Sequence, residues 1–281
     1  EEVESPPRWL APATAALGLA LAANSLLGPL ATGVVVYHYG ASMTYQGIGL
    51  DAVALVLVTP LALVAALLTS RGHRAGPVLT LGPAGFAAYM APQYVLGPDY
   101  LGLAGNNQRA VPFHLALFVL AVAVLLGAWQ AQGTHAPGTA RSDRVLRWVL
   151  VGVAVFIGFG RWLPSLADAM RDHPTSGSYL DNPTAFWLVA FLDLGVVVPA
   201  AIASAVGLWR GSPWARTAAW AVVGWFSLVP ASVAAMAITM QARHDPLATT
   251  GNTVVMTAVG LVLTLAAAVL YVVVLRRPRT R

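Results

Sequence analysis

Residues 51–77 read DAVALVLVTPLALVAALLTSRGHRAGP, and a related stretch, LDLGVVVPAAIASAVGLWRGSPWAR, follows at residues 192–216. In these stretches Pro60 and Pro199 each lie eleven residues before an Arg-Gly pair. At the same offset of 139 residues the chain repeats paired and apolar positions, namely Arg8-Trp9 with Arg147-Trp148, Gly85-Phe86 with Gly224-Trp225, Val58 with Val197, Ala66 with Ala205 and Leu126 with Leu265. The pattern predicts an internal repeat, with one copy over residues 1–138 and the second over residues 139–281.

Composition places the chain among membrane proteins. Apolar residues make up 58% and charged residues only 10%, whereas soluble domains carry about 25% charged residues. The absence of cysteine excludes disulfides, thiol nucleophiles and iron-sulfur clusters. All 16 basic residues are arginine, which excludes imine chemistry on lysine. These arginines are not interleaved with aromatic residues on a polar face, so we predict no nucleic-acid partner.

A membrane-spanning helix needs about 20 mostly apolar residues, and eight segments meet that need. The third contains Pro83 and Pro92, and its apolar counterpart near Gly224 supports its assignment. We predict an all-α, polytopic helical bundle of eight transmembrane helices, formed by two four-helix repeats. The predicted spans are 9–32, 51–69, 76–97, 111–130, 145–163, 185–209, 213–240 and 252–275.

The connectors between these spans alternate in charge. Connectors 70–76, 131–147 and 210–216 and the tail after Leu275 contain most of the arginines, and the other connectors contain few. Arginine-rich connectors remain in the cytoplasm, so we predict a multi-pass protein of the bacterial inner (plasma) membrane with both termini cytoplasmic. Since each unit has an even number of helices, the two repeats would enter the membrane in the same direction, as parallel repeats.

Asp193 is the leading candidate for a functional side chain. Seventeen residues separate it from Arg210, which at about 1.5 Å per residue puts it just inside the apolar core. An ionisable group at that depth indicates function, and the alternative is a structural pair with Arg161. Asp51 is expected nearer the interface, either as part of the site or as a helix N-terminal residue complementing the helix dipole.

Other candidate residues lie on the same side of the membrane. His114 is a possible partner of Asp193, and Tyr89 and Tyr94 are either walls of an outward-facing pocket or part of an aromatic belt. Pro60 and Pro199 are predicted helix kinks, which mark either a transport site between the repeats or simple structural bends. The histidines show no recognised metal-ligand spacing, so we predict no metal and no cofactor.

The stretch DNPTAFWLVAFLDLGVVVPAAIASAVGLWRGSPW, with VTPLALVAALLTSRGHRAG in the first half, carries a family pattern. An Asn-Pro is followed by Asp-Leu, a mid-helix proline and a terminal arginine cluster. In this the chain resembles a group of eight-span bacterial membrane proteins, typical of actinobacteria, whose activity is uncharacterised. The resemblance implies the tandem four-helix architecture and no particular activity.

These features support three functional hypotheses. The first is a protein that binds or transports a small or lipid-like molecule through an outward-facing polar pocket between the repeats. The second is a membrane-embedded enzyme acting on a lipid or isoprenoid-like substrate, with Asp193 or Asp51 as general acid and a histidine as base. The third is a non-catalytic subunit of a membrane complex. The expected partners are membrane lipids and a small-molecule or lipid-like ligand, with assembly into a homo-oligomer or a larger membrane complex as the alternative.

Overall fold

The computed structural model describes residues 6–132 and 136–276, and the chain in those ranges is helical. Eight long helices follow one another and are numbered here in chain order. Their bounds are α1 Leu10–Leu27, α2 Ala41–Ser70, α3 Ala75–Leu96, α4 Val111–Gln132, α5 Ala140–Ala169, α6 Pro183–Arg210, α7 Ala215–Ala242 and α8 Thr250–Arg276. Short helical turns at Asn107–Ala110 and Gly177–Asp181 precede α4 and α6.

Seven of the helices in the described ranges are long and apolar enough to cross a membrane, as expected of a multi-pass membrane protein. The helix outside this set is α3, whose apolar residues are interrupted by Pro83, Pro92 and Gln93. Its 22 residues span about 33 Å at about 1.5 Å per residue. It packs extensively against α2, α4 and α7, so much of its surface contacts protein.

Small residues allow the central helices to approach closely. A Cβ atom added to Gly224 on α7 would lie 3.0 Å from the Cα of Gly82 on α3. A Cβ atom added to Gly49 on α2 would lie 2.5 Å from the backbone of Ala235 on α7. Small residues at such crossings are the usual basis of helix packing in membranes. Helix α7 is therefore held at the centre of the bundle, against α2, α3 and α8.

Helix α2 is longer than predicted. The apolar pattern predicted a span over 51–69, with a connector over 33–50, but the helix begins at Ala41. The first turns contain Thr44, Gln46 and Gly47, which are typical of a connector. Packing of this end of α2 against α7 stabilises a helix that the hydropathy pattern does not indicate.

Three of the long helices contain a π-helical turn. The turns are Ala54–Val58 in α2, Phe156–Trp162 in α5 and Asp193–Val197 in α6. The first and last are 139 residues apart, and Pro60 and Pro199 each follow two residues after the turn ends. In both, the residue just before the proline donates its N–H to a carbonyl five residues back. Since proline has no N–H, a wide turn here rearranges the interrupted hydrogen-bond ladder.

The two halves of the chain close differently at their last helix. Helix α4 packs on both α3 and α1, whereas α8 packs extensively only on α7. In the most apolar stretch of α8 only 6% of the residues are buried, whereas 28% are buried in the corresponding stretch of the helix that contains α4. Helices α5 and α8 therefore have no extensive contact in the described ranges, and packing between these two helices does not close that side of the bundle.

Candidate functional site

Helix α3 supplies a phenol to each of the two buried carboxylates. The hydroxyl of Tyr89 donates to Asp193 Oδ1 at 2.6 Å, and that of Tyr94 donates to Asp51 Oδ1 at 3.0 Å. Five residues at about 100° each place these tyrosines on different faces of α3. The candidate residues therefore form two clusters, which we name after their carboxylates.

The Asp193 cluster joins α3, α5 and α6. Asp193 is 4% exposed and begins the π turn of α6. Besides the bond from Tyr89, it accepts a hydrogen bond from Trp162 Nε1 at 2.7 Å, and Arg161 Nε lies 3.6 Å from Asp193 Oδ2. The predicted pairing of Asp193 with Arg161 is confirmed. Three groups therefore offset the cost of burying this charge.

Arg161 belongs to this cluster but also reaches the surface of the protein. Its side chain is 46% exposed, and its guanidinium carbon lies 5.2 Å from the Trp162 ring centroid. Arg161 also lines a groove of about 200 Å³ formed by the start of α2, the end of α7 and the start of α8. The groove is otherwise lined by Gln46, Val233, Met236, Ala237, Met240, Leu247, Ala248, Asn252, Thr253 and Met256. It combines one cation, two amides and three methionines.

The Asp51 cluster lies within the first half of the chain. It comprises Asn24 on α1, Tyr37 in the connector after α1, Asp51 on α2, Tyr94 on α3 and His114 on α4. Each of the five is at most 7% exposed. Asn24 Nδ2 lies 3.4 Å from Asp51 Oδ1, and Asn24 Oδ1 lies 3.0 Å from His114 Nε2. The Tyr94 and His114 rings stack with centroids 5.1 Å apart.

The structure separates some residues that the sequence grouped together. His114 lies with Asp51, bridged by Asn24, and not with Asp193. Asp51 was also expected as a helix N-terminal residue, and that expectation was wrong because α2 begins ten residues earlier, at Ala41. It lies inside the helix, where it is 1% exposed. The amide of Asn24 is the signal that sequence reasoning missed, since it is a polar residue within an otherwise apolar span.

The Asp51 cluster is covered by two connectors that bind each other. The side chain of Asn106 accepts from Val36 N at 2.8 Å and donates to Val34 O at 3.0 Å. Asn107 Oδ1 lies 2.6 Å from His38 Nδ1. These contacts hold Tyr37 over Asp51, and burial together with the nearby carboxylate raises the pKa of Tyr37 above its ordinary value. The phenol therefore stays protonated and able to donate.

Neither cluster offers a set of metal ligands. In the described part of the chain no three histidine, cysteine or acidic side chains lie close enough together to hold a metal ion. His114 and Asp51 are joined through the amide of Asn24 and not by a direct hydrogen bond. The geometry brings one half-exposed arginine to the groove and buries one carboxylate and one imidazole in the Asp51 cluster. No protein-family model, curated protein or solved structure matches this chain.

Proposed function

We propose that the chain crosses the membrane eight times, with α3 as the additional span. Only four residues separate Ser70 at the end of α2 from Ala75 at the start of α3, and so short a connector favours antiparallel neighbours. Helix α3 is as long as a membrane core is thick. Its lower apolar content fits a helix that contacts other helices more than lipid.

We infer that these helices form two parallel four-helix repeats, over residues 1–138 and 139–281. The matching π turns before Pro60 and Pro199 support this, because they keep the 139-residue offset. The packing supports it as well, since α2 contacts α7 and the corresponding pair, α6 and α3, is also in contact. Arginine-rich connectors then place both termini in the cytoplasm of a bacterial cell, in its inner membrane.

We propose that this protein binds an amphiphilic lipid with an anionic headgroup in the Arg161 groove. The observation that carries the proposal is the position of Arg161. Its Nε faces the buried Asp193, while the half-exposed side chain borders the groove. Arginine binds phosphate and carboxylate through several N–H donors at once. The nearest described carboxylate holds one edge of the guanidinium and leaves the other for a ligand.

The remaining groove residues fit the rest of such a molecule. Met236, Met240 and Met256 offer flexible apolar contacts that adapt to an acyl chain. Gln46 and Asn252 add amides beside the cation. The groove opens next to α8, of which only a small share is buried, so that its exposed apolar face would meet lipid in a membrane. A lipid would therefore enter sideways from the outer half of the bilayer.

Transport of the bound lipid across the membrane would be an extension of the same proposal. The enzyme hypothesis has less support than lipid binding. An enzyme with an aspartate acid and a histidine base needs both groups at one reacting centre. Here the histidine and its carboxylate are bridged by Asn24 and covered by the connectors. The groove that could take a substrate lies instead at Arg161.

The proposal is tested by ligand-dependent thermal stability of the purified full chain in detergent. The probes are short-chain phosphatidylglycerol and phosphatidylcholine with the same acyl chains. We expect phosphatidylglycerol to raise the melting temperature of the wild type more than phosphatidylcholine does. Arg161→Gln should remove that preference, with a loss of about 10- to 100-fold in affinity for the anionic lipid, since a hydrogen bond to a charged group contributes about 1.5–3 kcal/mol.

Arg171→Gln is the matched control. Arg171 is also an exposed arginine paired with an aspartate, Asp168 at 3.7 Å, but it does not line the groove. Its replacement should leave the lipid preference intact. Met240→Trp should weaken binding of both lipids by filling the groove while Arg161 remains. An unchanged preference for phosphatidylglycerol in Arg161→Gln would contradict the proposal.

A further inference from the structure

The Asp51 cluster contains a buried carboxylate with no cationic partner. Among the described residues Asp51 forms no ion pair, and its side chain accepts hydrogen bonds from Asn24 and Tyr94. Asp193 is also buried, but Arg161 lies beside it. A lone charge in the apolar part of a membrane protein is costly, and it marks a functional group by default.

The hydrogen bonds of Asn24 determine which ring nitrogen of His114 carries hydrogen. The Asn24 amide donates through Nδ2 to Asp51, so its Oδ1 faces His114 Nε2 at 3.0 Å. Because Oδ1 only accepts, the 3.0 Å contact is a hydrogen bond when Nε2 carries the hydrogen. The Tyr37 hydroxyl lies 3.4 Å from both Asn24 Oδ1 and His114 Nε2, and with this tautomer it donates to the amide oxygen. The neutral ring therefore has its lone pair at Nδ1.

Two positions in the cluster remain open to a proton. His114 Nδ1 is buried and has no hydrogen-bond partner in the described part of the chain. Asp51 Oδ2 likewise accepts no hydrogen bond from the described residues, since both donors use Oδ1. Oδ2 lies 3.1 Å from the position a Cβ atom would take on Gly28, so glycine leaves space beside it.

We propose that Asp51, Asn24 and His114 form a binding site for one proton taken from the aqueous phase. The proton resides on Asp51 Oδ2, and the lone pair at His114 Nδ1 is a second acceptor in the same cluster. The cluster is neutral overall with the proton on either atom, and carries one negative charge when the proton returns to water. Asn24 links the two acceptors, so protonation of one is coupled to the hydrogen bonding of the other.

No other charged group of the surrounding elements compensates Asp51. Helices α1 and α3 have no charged residue, α4 contributes only His114, and α7 has none between Thr217 and Ala242. The first covering connector contributes the phenols of Tyr37 and Tyr39 and also His38, which is buried against Asn107. The second contributes Asp99 and Arg109, which are both exposed, and none of these three ionisable groups bonds to Asp51. Asp181 contacts α2 at Met43 N, eight residues before Asp51, and its negative charge would favour protonation.

The polarity of the contacts favours a proton over a metal cation. Tyr94 and Asn24 both direct hydrogen atoms at Asp51, whereas a bound cation needs oxygen lone pairs from several sides. A carboxylate that accepts two donors on one oxygen and none on the other accommodates a hydrogen on the free oxygen without rearrangement.

The test is a pH titration of the purified full chain in nanodiscs from about pH 5 to about pH 9, followed by infrared difference spectroscopy. We expect the wild type to show the carboxylic acid band of a group that loses its proton within this range. Asp51→Asn should abolish that band, and His114→Gln should keep it while shifting its midpoint. Asp193→Asn is the matched control and should leave the band and its titration midpoint unchanged, because Asp193 belongs to the other cluster.

The same variants give a second readout in thermal stability. The folded protein would hold a proton that the unfolded chain has released, so the wild-type melting temperature should fall as pH rises, and Asp51→Asn should flatten that fall. If Asp51→Asn fails to fold, the midpoint shift in His114→Gln still decides the matter. A titration identical in wild type and Asp51→Asn, or unmoved by His114→Gln, overturns the proposal. This inference is independent of the lipid site, which Arg161→Gln tests separately.

Discussion

At the residue scale the Asp193 cluster depends on the indole N–H of Trp162. Trp162→Phe keeps the aromatic ring under Arg161 but removes the 2.7 Å hydrogen bond to Asp193. We expect a loss of about 1.5–3 kcal/mol in the free energy of unfolding, because a buried charge loses a donor. Trp187→Phe is the control, since Trp187 is 43% exposed. Equal melting temperatures for the two variants would contradict the stabilising role of Trp162.

Sequence reasoning succeeded at residues whose positions follow from distance along one helix. Arg161 was expected at the same end of the bundle as Asp193 because it ends the preceding helix, and the structure places the two side chains 3.6 Å apart, as in the structural alternative. Sequence reasoning failed where the partner depends on how helices lie side by side. His114 contacts Asn24 across 90 residues of sequence, and no local spacing indicates which carboxylate it serves.

A second prediction at this scale concerns Asp181 in the connector before α6. Burial and the nearby Asp245 raise the pKa of Asp181 above its ordinary value. The folded protein then binds a proton more tightly than the unfolded chain, so this group reduces stability as pH rises past about 3.9. Asp245→Asn removes the neighbouring charge while keeping an oxygen for the Leu247 N–H.

We therefore expect Asp245→Asn to raise the melting temperature more at about pH 7 than at about pH 4. Asp99→Asn is a suitable control, because Asp99 also accepts backbone N–H groups in a connector and is exposed. A gain that is the same at both pH values, or that Asp99→Asn reproduces, would argue against repulsion between Asp181 and Asp245.

At the scale of the element, helix α2 contains two glycines with opposite surroundings. Gly49 faces the α7 backbone, where a Cβ atom would lie 2.5 Å from Ala235, whereas Gly47 has nothing within 4 Å. Gly49→Ala should lower the free energy of unfolding by about 1–3 kcal/mol through overpacking. Gly47→Ala should raise it by about 0.5–1 kcal/mol, since alanine favours a helix. Chemical denaturation in detergent measures both, and similar effects would contradict the close crossing of α2 and α7.

Helices α4 and α8 provide a second comparison between elements. Leu117 on α4 is 2% exposed and Leu261 on α8 is 59% exposed. Leu117→Ala should cost about 2–5 kcal/mol of unfolding free energy, and Leu261→Ala should change it by less than about 0.5 kcal/mol. A large loss from Leu261→Ala would show that α8 packs against another protein surface, as in the subunit hypothesis.

The elements also show where hydropathy is informative. Seven helices of the described ranges are identified as candidate spans by length and apolar content alone. Apolar content does not predict the start of α2, because its polar first turns are stabilised by packing against α7. The prolines indicated an interruption in α2 and α6. They did not indicate that a π turn precedes each one, because that depends on how the ladder rearranges around the missing N–H.

At the scale of the whole molecule the absence of cysteine allows a direct test of topology. His73 and Leu101 lie in the connectors on either side of α3, and both are exposed. Single cysteines there should differ in intact cells, with Leu101→Cys labelled by a membrane-impermeant thiol reagent and His73→Cys labelled only after lysis. Labelling of both positions in intact cells would mean that α3 does not cross, and the reverse pattern would invert the orientation.

The whole fold was predictable to the level of a helical membrane bundle. The apolar segments predicted its helices, and the alternating arginines gave the predicted orientation. The groove was not predictable, because it arises from a difference between the halves. Helix α4 packs on α1, but α8 does not pack extensively on α5. No residue pattern in α8 predicts this missing contact.

The open side between α5 and α8 has a kinetic consequence. A closed cavity exchanges its ligand only as fast as a gate moves, whereas a seam open along the bundle requires no gate. Exchange at Arg161 would then be set by two-dimensional diffusion of the amphiphile in its leaflet. Occupancy would follow the mole fraction of that lipid in the membrane rather than its concentration in water.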